Sequence, residues 1–441
     1  MSNRLDTFSP AALGDRSVLF LQGPPGPLFR ELGARFAKEG ARVHRINVSG
    51  GDRFDWPAGA TDYTGSFNDW SLFLDSYLAA HKITDLFMFG DCRPYHEVAH
   101  RLATERAVRI WVLEEGYIRP HWMTLELHGV NGNSLLPRNP HWYRQEAKLL
   151  PQAPEPPAIT ASFGRRARDS YWHYHHSVTG RLRFRHYRTH REVSTVGEGV
   201  NWLRRLSTVK ARQHQTRLML KTLRKNSYFL FPLQLSSDYQ IKRHSAFETM
   251  DVACRYVIES FASHAPQDLD LLIKVHPLDC AGHVWPRFID AEARRLGVRD
   301  RVKLIDGGNL TTLAKRSRGV VTVNSTSGTL ALANGVPVKV LGDAVYDIPD
   351  ITDQQHIDSF WGDPQPPDAD TWNAFHRVLL DRCLIEGGIA SQSAVRVLTD
   401  SIIGRFRAEP SPRIAQLPTR LAKAVDFQPQ AAGQSLRSRA G

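Results

Sequence analysis

Short apolar runs alternate with longer stretches of helical period along the first part of the chain. Apolar clusters at residues 17–22, 41–47, 85–90 and 108–113 predict buried strands. Between them, residues 28–39, 70–80 and 93–107 carry apolar positions at helical spacing. Strand–helix alternation of this kind implies a parallel sheet covered on both faces, here filling residues 1–150. A second alternation starts at Tyr228. Its predicted strands are 228–231, 270–275, 302–305, 319–323 and 337–341. Its predicted helices are 245–264, 281–296, 309–317 and 326–334, followed by terminal helices at 371–384 and 394–403. Residues 228–405 therefore read as a second Rossmann-like domain. Residues 151–227 break the pattern: a Pro-rich linker at 151–157 leads into a basic helical insertion. Residues 406–441 are rich in Pro, Gln, Ala and Arg and are expected to be a disordered tail.

The three most informative stretches are strand ends in the second domain. Residues 228–231 form an apolar run that Pro232 is expected to end, because proline has no N–H for the ladder. Gln234, Ser236, Ser237 and Asp238 follow at once. Residues 271–277 end a strand in Lys274, His276 and Pro277, and residues 320–328 end one in Asn324, Ser325, Thr326, Ser327 and Gly328. Polar groups at the carboxyl ends of buried parallel strands are where such sheets present chemistry, so the three ends are read as one site. Asn324 to Ser327 open a helix, and their hydroxyls and N–H groups can hold a phosphate; a plain N-cap needs only one such residue. Lys274 and His276 lie two apart and share one face of an extended strand, where they can neutralise a phosphate or a sugar carboxylate. Asp238 can attack an anomeric carbon, or it can cap the next helix, which is the commoner use of aspartate.

The first domain contributes two further loops. Residues 23–27 contain Gly23 and Gly26 among three prolines, unlike the dinucleotide fingerprint. This loop is either a tight turn before a helix or a cleft-facing anion loop. Glu114 and Glu115 follow the strand ending at Leu113. Adjacent carboxylates there are costly unless used or paired. They form a solvated loop, an ion pair with Arg119, or a working pair, which their place at a strand's carboxyl end favours; Glu115, nearer the loop apex, is assigned the proton-transfer role.

Composition narrows the setting. The 441 residues suit two domains plus additions; hydrophobic residues make up 41% and charged residues 23%. No apolar run reaches the ~18 residues of a membrane span. The N-terminus lacks the apolar core of a secretory signal. Cys92, Cys254, Cys280 and Cys383 are scattered without a CxxC pair, which predicts reduced thiols in a cytoplasmic protein and argues against zinc. The net charge of +12 attracts polyanions. Much of it lies in the insertion, where Arg165, Arg166, Arg168, Arg181, Arg183 and Arg185 mix with Tyr171, Trp172, His173 and Tyr174. That mixture is a solvated helical surface, a nucleic-acid contact or a docking face for anionic lipid headgroups. No nucleic-acid motif accompanies it, and no carboxylate pattern joins the histidines into a metal site.

Six segments carry a family resemblance: GlnGlyProProGlyProLeuPhe (22–29), GluGluGlyTyrIleArgPro (114–120), GlyValAsnGlyAsnSer (129–134), PheProLeuGlnLeuSerSerAspTyrGln (231–240), LysValHisProLeuAsp (274–279) and ValAsnSerThrSerGly (323–328). In this order they resemble the capsule polysaccharide biosynthesis/export family of the KpsS type, over about residues 15–400. The resemblance implies a GT-B-like α/β enzyme with two Rossmann-like domains facing a cleft. It implies a retaining transfer of Kdo from CMP-Kdo, the donor substrate, to a phosphatidylglycerol-type lipid; no cofactor and no metal ligand are assigned. By resemblance Asp238 is the nucleophile, Glu115 the acid/base, Gln234 part of the same motif, His276 a CMP contact, and Ser325 to Ser327 its hydroxyl-rich partner. The implied partners are the anionic lipid acceptor, the cytoplasmic face of the inner membrane, a partner Kdo transferase and a capsule exporter, not nucleic acid. The alternative is a non-catalytic export factor that binds lipid-linked polysaccharide.

Overall fold

The computed structural model describes residues 13–152, 159–189, 195–235, 239–279 and 284–408. The first lobe runs β1 (Ser17–Phe20), α1 (Leu28–Lys38), β2 (Arg42–Asn47), α2 (Gly50–Asp55), β3 (Thr61–Asp62), α3 (Trp70–Ala80), β4 (Asp85–Phe89), α4 (Pro94–Glu105), β5 (Arg109–Glu115), β6 (Trp122–Leu127) and α5 (Pro140–Leu149). Then come α6 (Phe163–Thr179) and α7 (Thr195–Thr222). The second lobe runs β7 (Tyr228–Pro232), α8 (Tyr239–Arg243), α9 (Met250–His264), β8 (Asp270–Lys274), α10 (Trp285–Arg295), β9 (Val302–Ile305), α11 (Leu310–Arg316), β10 (Gly319–Thr322), α12 (Ser327–Leu332) and β11 (Val338–Val340). The chain closes with α13 (Ile357–Phe360), α14 (Ala369–Arg382), β12 (Leu384–Glu386) and α15 (Gln392–Ala408).

Both sheets have the same core order. The first is β3-β2-β1-β4-β5 in parallel, extended by antiparallel β6 and then β12; the second is β9-β8-β7-β10-β11, all parallel. In each, the strand order reverses beside the first strand, at β1/β4 and at β7/β10. This is the doubly wound pattern, repeated in a two-lobed, GT-B-like α/β protein.

β7 shows why its sequence is apolar throughout. Tyr228 and Leu230 enter one core with Leu272 and Val320, while Phe229 and Phe231 enter another with Leu271, Ile273 and Val321. A strand buried on both faces has no polar positions to spare. Pro232 does not end the ladder as expected: it pairs with Lys274, and Leu233 N donates to Lys274 O at 2.9 Å. The missing proline N–H costs nothing at that register position, and pairing resumes one residue on.

The helical insertion is not one unit. α6 and the segment after it pack on the first lobe, where His173 Nδ1 meets Asp55 Oδ2 at 2.6 Å and Arg183 Nε meets Asp62 Oδ2 at 2.9 Å. α7 packs on the second lobe, where Thr216 Oγ1 accepts from Asp306 N at 3.0 Å. The terminal helices also differ from expectation. β12 pairs with β6, and the Phe406 ring of α15 packs edge-on against Phe36 and tilted against Trp111, so the end of the described chain belongs to the first lobe. The predicted tail after Ala408 lies outside the described residues. Among those described, no helix is long and apolar enough to cross a membrane.

Candidate active site

The reversal between β7 and β10 opens a crevice at the carboxyl edge of the second sheet. Two of the predicted donor-site residues clasp each other there. Gln234 Nε2 donates to Asn324 Oδ1 at 2.8 Å, and Asn324 N donates to Gln234 Oε1 at 3.0 Å. Beyond Asn324, Ser325 Oγ accepts from Ser327 N at 3.1 Å, and Ser325 O accepts from Tyr346 OH at 2.5 Å. Ser325 thus supplies the cap. Thr326 makes no capping bond with its side chain, and the Ser327 hydroxyl is buried without a hydrogen-bond partner among the described residues. A buried hydroxyl left over once the cap is made is suited to a ligand.

Ser236, Ser237 and Asp238 lie outside the described residues, between Leu235 and the start of α8 at Tyr239.

Lys274 and His276 both approach the second lobe's carboxyl edge, but with different electrostatics. Lys274 is buried and lines a cavity of about 180 Å³ with Arg205, Gln213, Pro277 and Asp306. Burial, aided by Arg205 and opposed by Asp306, holds its ammonium below the usual value. Arg205 is itself buried and spans Asp279 O at 2.8 Å and Asp306 Oδ1 at 2.9 Å, so α7 supplies a fixed cation that the sequence reading did not single out. Burial pushes His276 down to about 4; Lys274, Arg119 and Arg205 push the same way, against Asp279. His276 is therefore neutral at physiological pH and does not add the positive charge expected of it. Its Nδ1 accepts from Leu278 N at 3.1 Å, which leaves the proton on Nε2 as a donor.

The first lobe brings Glu114 and Glu115. They do not sit in a loop after the strand: they are its last residues, paired with Thr124 and Met123 of β6. The strand continues because β6 folds back and satisfies its backbone. Asn131 Nδ2 donates to Glu114 Oε2 at 2.8 Å. Glu115 pairs with Arg119 at 3.0 Å and also with Arg166 of α6. Burial alone would raise its carboxyl, but Arg119, Arg166 and His276 together hold it below the usual glutamate value. Glu115 is thus an ionised carboxylate that can take a proton, and it lies within electrostatic reach of His276 from the opposite lobe.

Gly23 and Gly26 sit at the reversal of the first sheet, but their anion is internal. Gly26, at φ +109°, donates its N–H to Asp55 Oδ1 at 3.2 Å, and Gly23 O accepts from Arg93 Nη1 at 3.3 Å. Gln22 is buried and donates to Asp52 and to Tyr187 from the segment after α6. The insertion packs against this edge through Asp169 and Tyr187, and Gly23 and Gly26 stay partly exposed.

Other interlobe residues went unread. Thr329 Oγ1 donates to Tyr117 O at 2.7 Å, Arg243 meets Glu97 at 2.5 Å, and Arg138 meets Asp343 at 2.7 Å. Behind Tyr117, its hydroxyl and that of Ser134 donate to the buried Glu126 at 2.6 and 2.5 Å. The 129–134 motif flags this network, since it supplies Asn131 and Ser134.

Comparison with known proteins places this geometry in a family. The model described as capsule polysaccharide biosynthesis protein matches residues 84–389. The chain belongs to that family. It is 34% identical to the capsule polysaccharide modification protein LipB of Neisseria meningitidis serogroup B, covering 85% of this chain and 92% of LipB. It is 32% identical to the capsule polysaccharide export protein KpsS of Escherichia coli, covering 83% and 95%. Among solved structures, the β-Kdo 2,7 transferase KpsC of Thermosulfurimonas dismutans aligns over 87% of this chain and 99% of its own, at 14% identity and a TM-score of 0.41.

Proposed function

We propose that this protein is a retaining glycosyltransferase that moves Kdo from CMP-Kdo onto a phosphatidylglycerol-type lipid, starting a capsule's lipid linker. The observation that carries the reading is the meeting of two halves. The Gln234–Asn324 clasp, with the spare Ser327 hydroxyl beside it, lies at the second lobe's reversal point, and Glu115 of the first lobe lies within electrostatic reach of His276. Arg205, Lys274 and the Nε2–H of neutral His276 suit a donor that carries both a phosphate and a carboxylate. Asn324 to Ser327 suit the CMP phosphate.

In this reading Asp238 attacks the anomeric carbon, and the bond to CMP breaks with its electron pair on a phosphate oxygen. That leaving group is already anionic and needs no acid. The lipid hydroxyl then attacks the same carbon, the Asp238 ester bond breaks, and the hydroxyl proton passes to Glu115. Two inversions give retention. The depressed carboxyl at Glu115 keeps it ionised, the form that can accept a proton. The surface of α2, α6 and the turn after α6 that exposes Phe54, Tyr171, Trp172 and Leu182 along with Arg168 and Arg181 suits a lipid headgroup surface, which supports a peripheral position at the inner membrane.

The test is mass spectrometry of lipid products after incubating the purified chain with CMP-Kdo and phosphatidylglycerol vesicles. The expected product is lipid plus one Kdo, formed with release of CMP and lost in Asp238→Ala. Lipid binding with no CMP release from any sugar nucleotide would instead establish a non-catalytic export factor.

A further inference from the structure

A cluster that the transfer reading does not use lies between the lobes. Asp91 and Cys92 follow β4 in the first lobe, and His244 follows α8 in the second; all three are buried. One donor atom of each lies within 4.8 Å of the other two. Cys92 Sγ is 3.2 Å from Asp91 Oδ1 and 3.2 Å from His244 Nε2. Tetrahedral zinc with bonds of 2.0–2.3 Å needs its donors about 3.5 Å apart, so these atoms are nearly spaced for one ion.

The charge balance points the same way. Asp91 is 3% exposed, and among the described residues no lysine or arginine pairs with it. Its partners are Val130 N at 3.1 Å and Asn133 Nδ2 at 3.0 Å, both on Oδ2, and the Cys92 thiol on Oδ1. Glu97 and Glu114 lie within electrostatic reach of Cys92 as well. A buried carboxylate without a countercharge is costly, and this one sits in an otherwise strongly basic chain. Its two oxygens are already divided as in a metal ligand: Oδ2 is oriented by two amide donors, and Oδ1 turns to the cluster. The close packing also looks built. A Cβ on Gly132 would lie 2.3 Å from His244 Nδ1, so only glycine lets the 129–134 loop seat the imidazole.

We infer that Asp91, Cys92 and His244 form a binding site for a zinc-class divalent ion that ties the two lobes together. A thiolate, an imidazole and a carboxylate favour zinc over magnesium or calcium. The ion replaces the thiol proton, which leaves to solvent, and a water completes the fourth position. Scattered cysteines argued against zinc in the sequence. The proposed site departs from that expectation, because a site assembled from two lobes needs no CxxC. His244 O also accepts from Asn324 Nδ2 at 3.4 Å and from Asp343 N at 2.5 Å, so the ion would set the lobe spacing next to the Gln234–Asn324 clasp.

The test uses the full chain without substrate, so its outcome is separate from that of the transfer assay. After dialysis against zinc and then buffer, elemental analysis should find about one ion per chain. Cobalt in its place should give the near-ultraviolet absorption of a cobalt–thiolate bond. Cys92→Ser and His244→Gln should abolish both. Asn133→Ala, which removes only an orienting bond, should weaken zinc by roughly 10–100-fold. If folded wild-type protein holds no zinc and shows no thiolate band with cobalt, the cluster is a hydrogen-bond relay from His244 through Cys92 to Asp91, and the inference falls. The wild-type cobalt spectrum decides this even if neither variant folds.

Discussion

Gln234 and Asn324 each donate to and accept from the other, although 90 residues separate them in the chain. The pair bridges the ends of β7 and β10 and holds the start of the Ser325–Ser327 turn. Gln234→Ala leaves an amide N–H and a side-chain carbonyl without these partners. The expected cost is about 1–3 kcal/mol. Calorimetry should show a lower Tm. At temperatures where the variant stays folded, the KM for CMP-Kdo should rise as well, because Asn324 no longer fixes the Ser325–Ser327 turn. A lower Tm with unchanged KM would confine the clasp to a structural role.

Glu115 gives a pH prediction whose sign is fixed by its neighbours. Its folded carboxyl lies below the ordinary value because Arg119, Arg166 and His276 outweigh burial. In the proposed transfer Glu115 is a base and works when ionised, so kcat/KM should hold on the acid side until pH falls below the usual glutamate range. Arg166→Ala removes one cation, burial counts for more, and the acid limb should move to higher pH by ~1 unit. His276 cannot mimic that limb above pH about 4, since it is already neutral there. An acid limb that stays put in Arg166→Ala would remove Glu115 from the proton path.

The parallel strands were legible because burial on both faces leaves continuous apolar runs, as in residues 228–231 and 319–322. The predicted helix at 70–80 matches α3 for the same kind of reason: its buried face is periodic. β12 was not legible. It is three residues long, and its partner β6 lies far away in sequence. Glu114 and Glu115 were read as loop because charge argues against a strand, and only the antiparallel return of β6 overrides that. The strand-end residues Gln234, Lys274, His276 and Asn324 could be found by position alone. The Cys92–His244 contact spans 152 residues and two lobes, and no local spacing announces it.

Glu126 predicts a stability slope. Burial raises its carboxyl to about 7 from 4.5, against the hydrogen bonds from Ser134 and Tyr117. Between those two values the folded state binds the proton and the unfolded state has released it. Its contribution is therefore full below pH about 4.5 and is lost as pH rises through about 7. Glu126→Gln carries no such proton, so the difference in unfolding free energy between variant and wild type should change across that window in the variant's favour as pH rises. Denaturant titrations at several pH values measure it. Parallel curves would mean that Glu126 keeps an ordinary value.

The exposed face of α6 makes the last prediction. Leu182 is 94% exposed, Tyr171 62% and Trp172 42%, and Phe54 of α2 stacks on His176 beside them at 4.1 Å. Large apolar side chains in a basic surround bind an anionic bilayer by two additive terms: headgroup attraction that salt screens, and burial of apolar area that salt does not. Trp172→Ala with Leu182→Asp should cut binding to phosphatidylglycerol vesicles at least tenfold, since two buried side chains are worth roughly 1.5–3 kcal/mol each. The residual affinity should be more salt-sensitive than that of wild type. Transfer of Kdo to a short-chain, water-soluble acceptor, read as release of free CMP, should stay near the wild-type rate, because neither residue belongs to the Glu115 ion pairs or the Gln234–Asn324 clasp. Cosedimentation with vesicles at two salt concentrations reads the first effect. Equal binding by the double variant would move the membrane contact to another face.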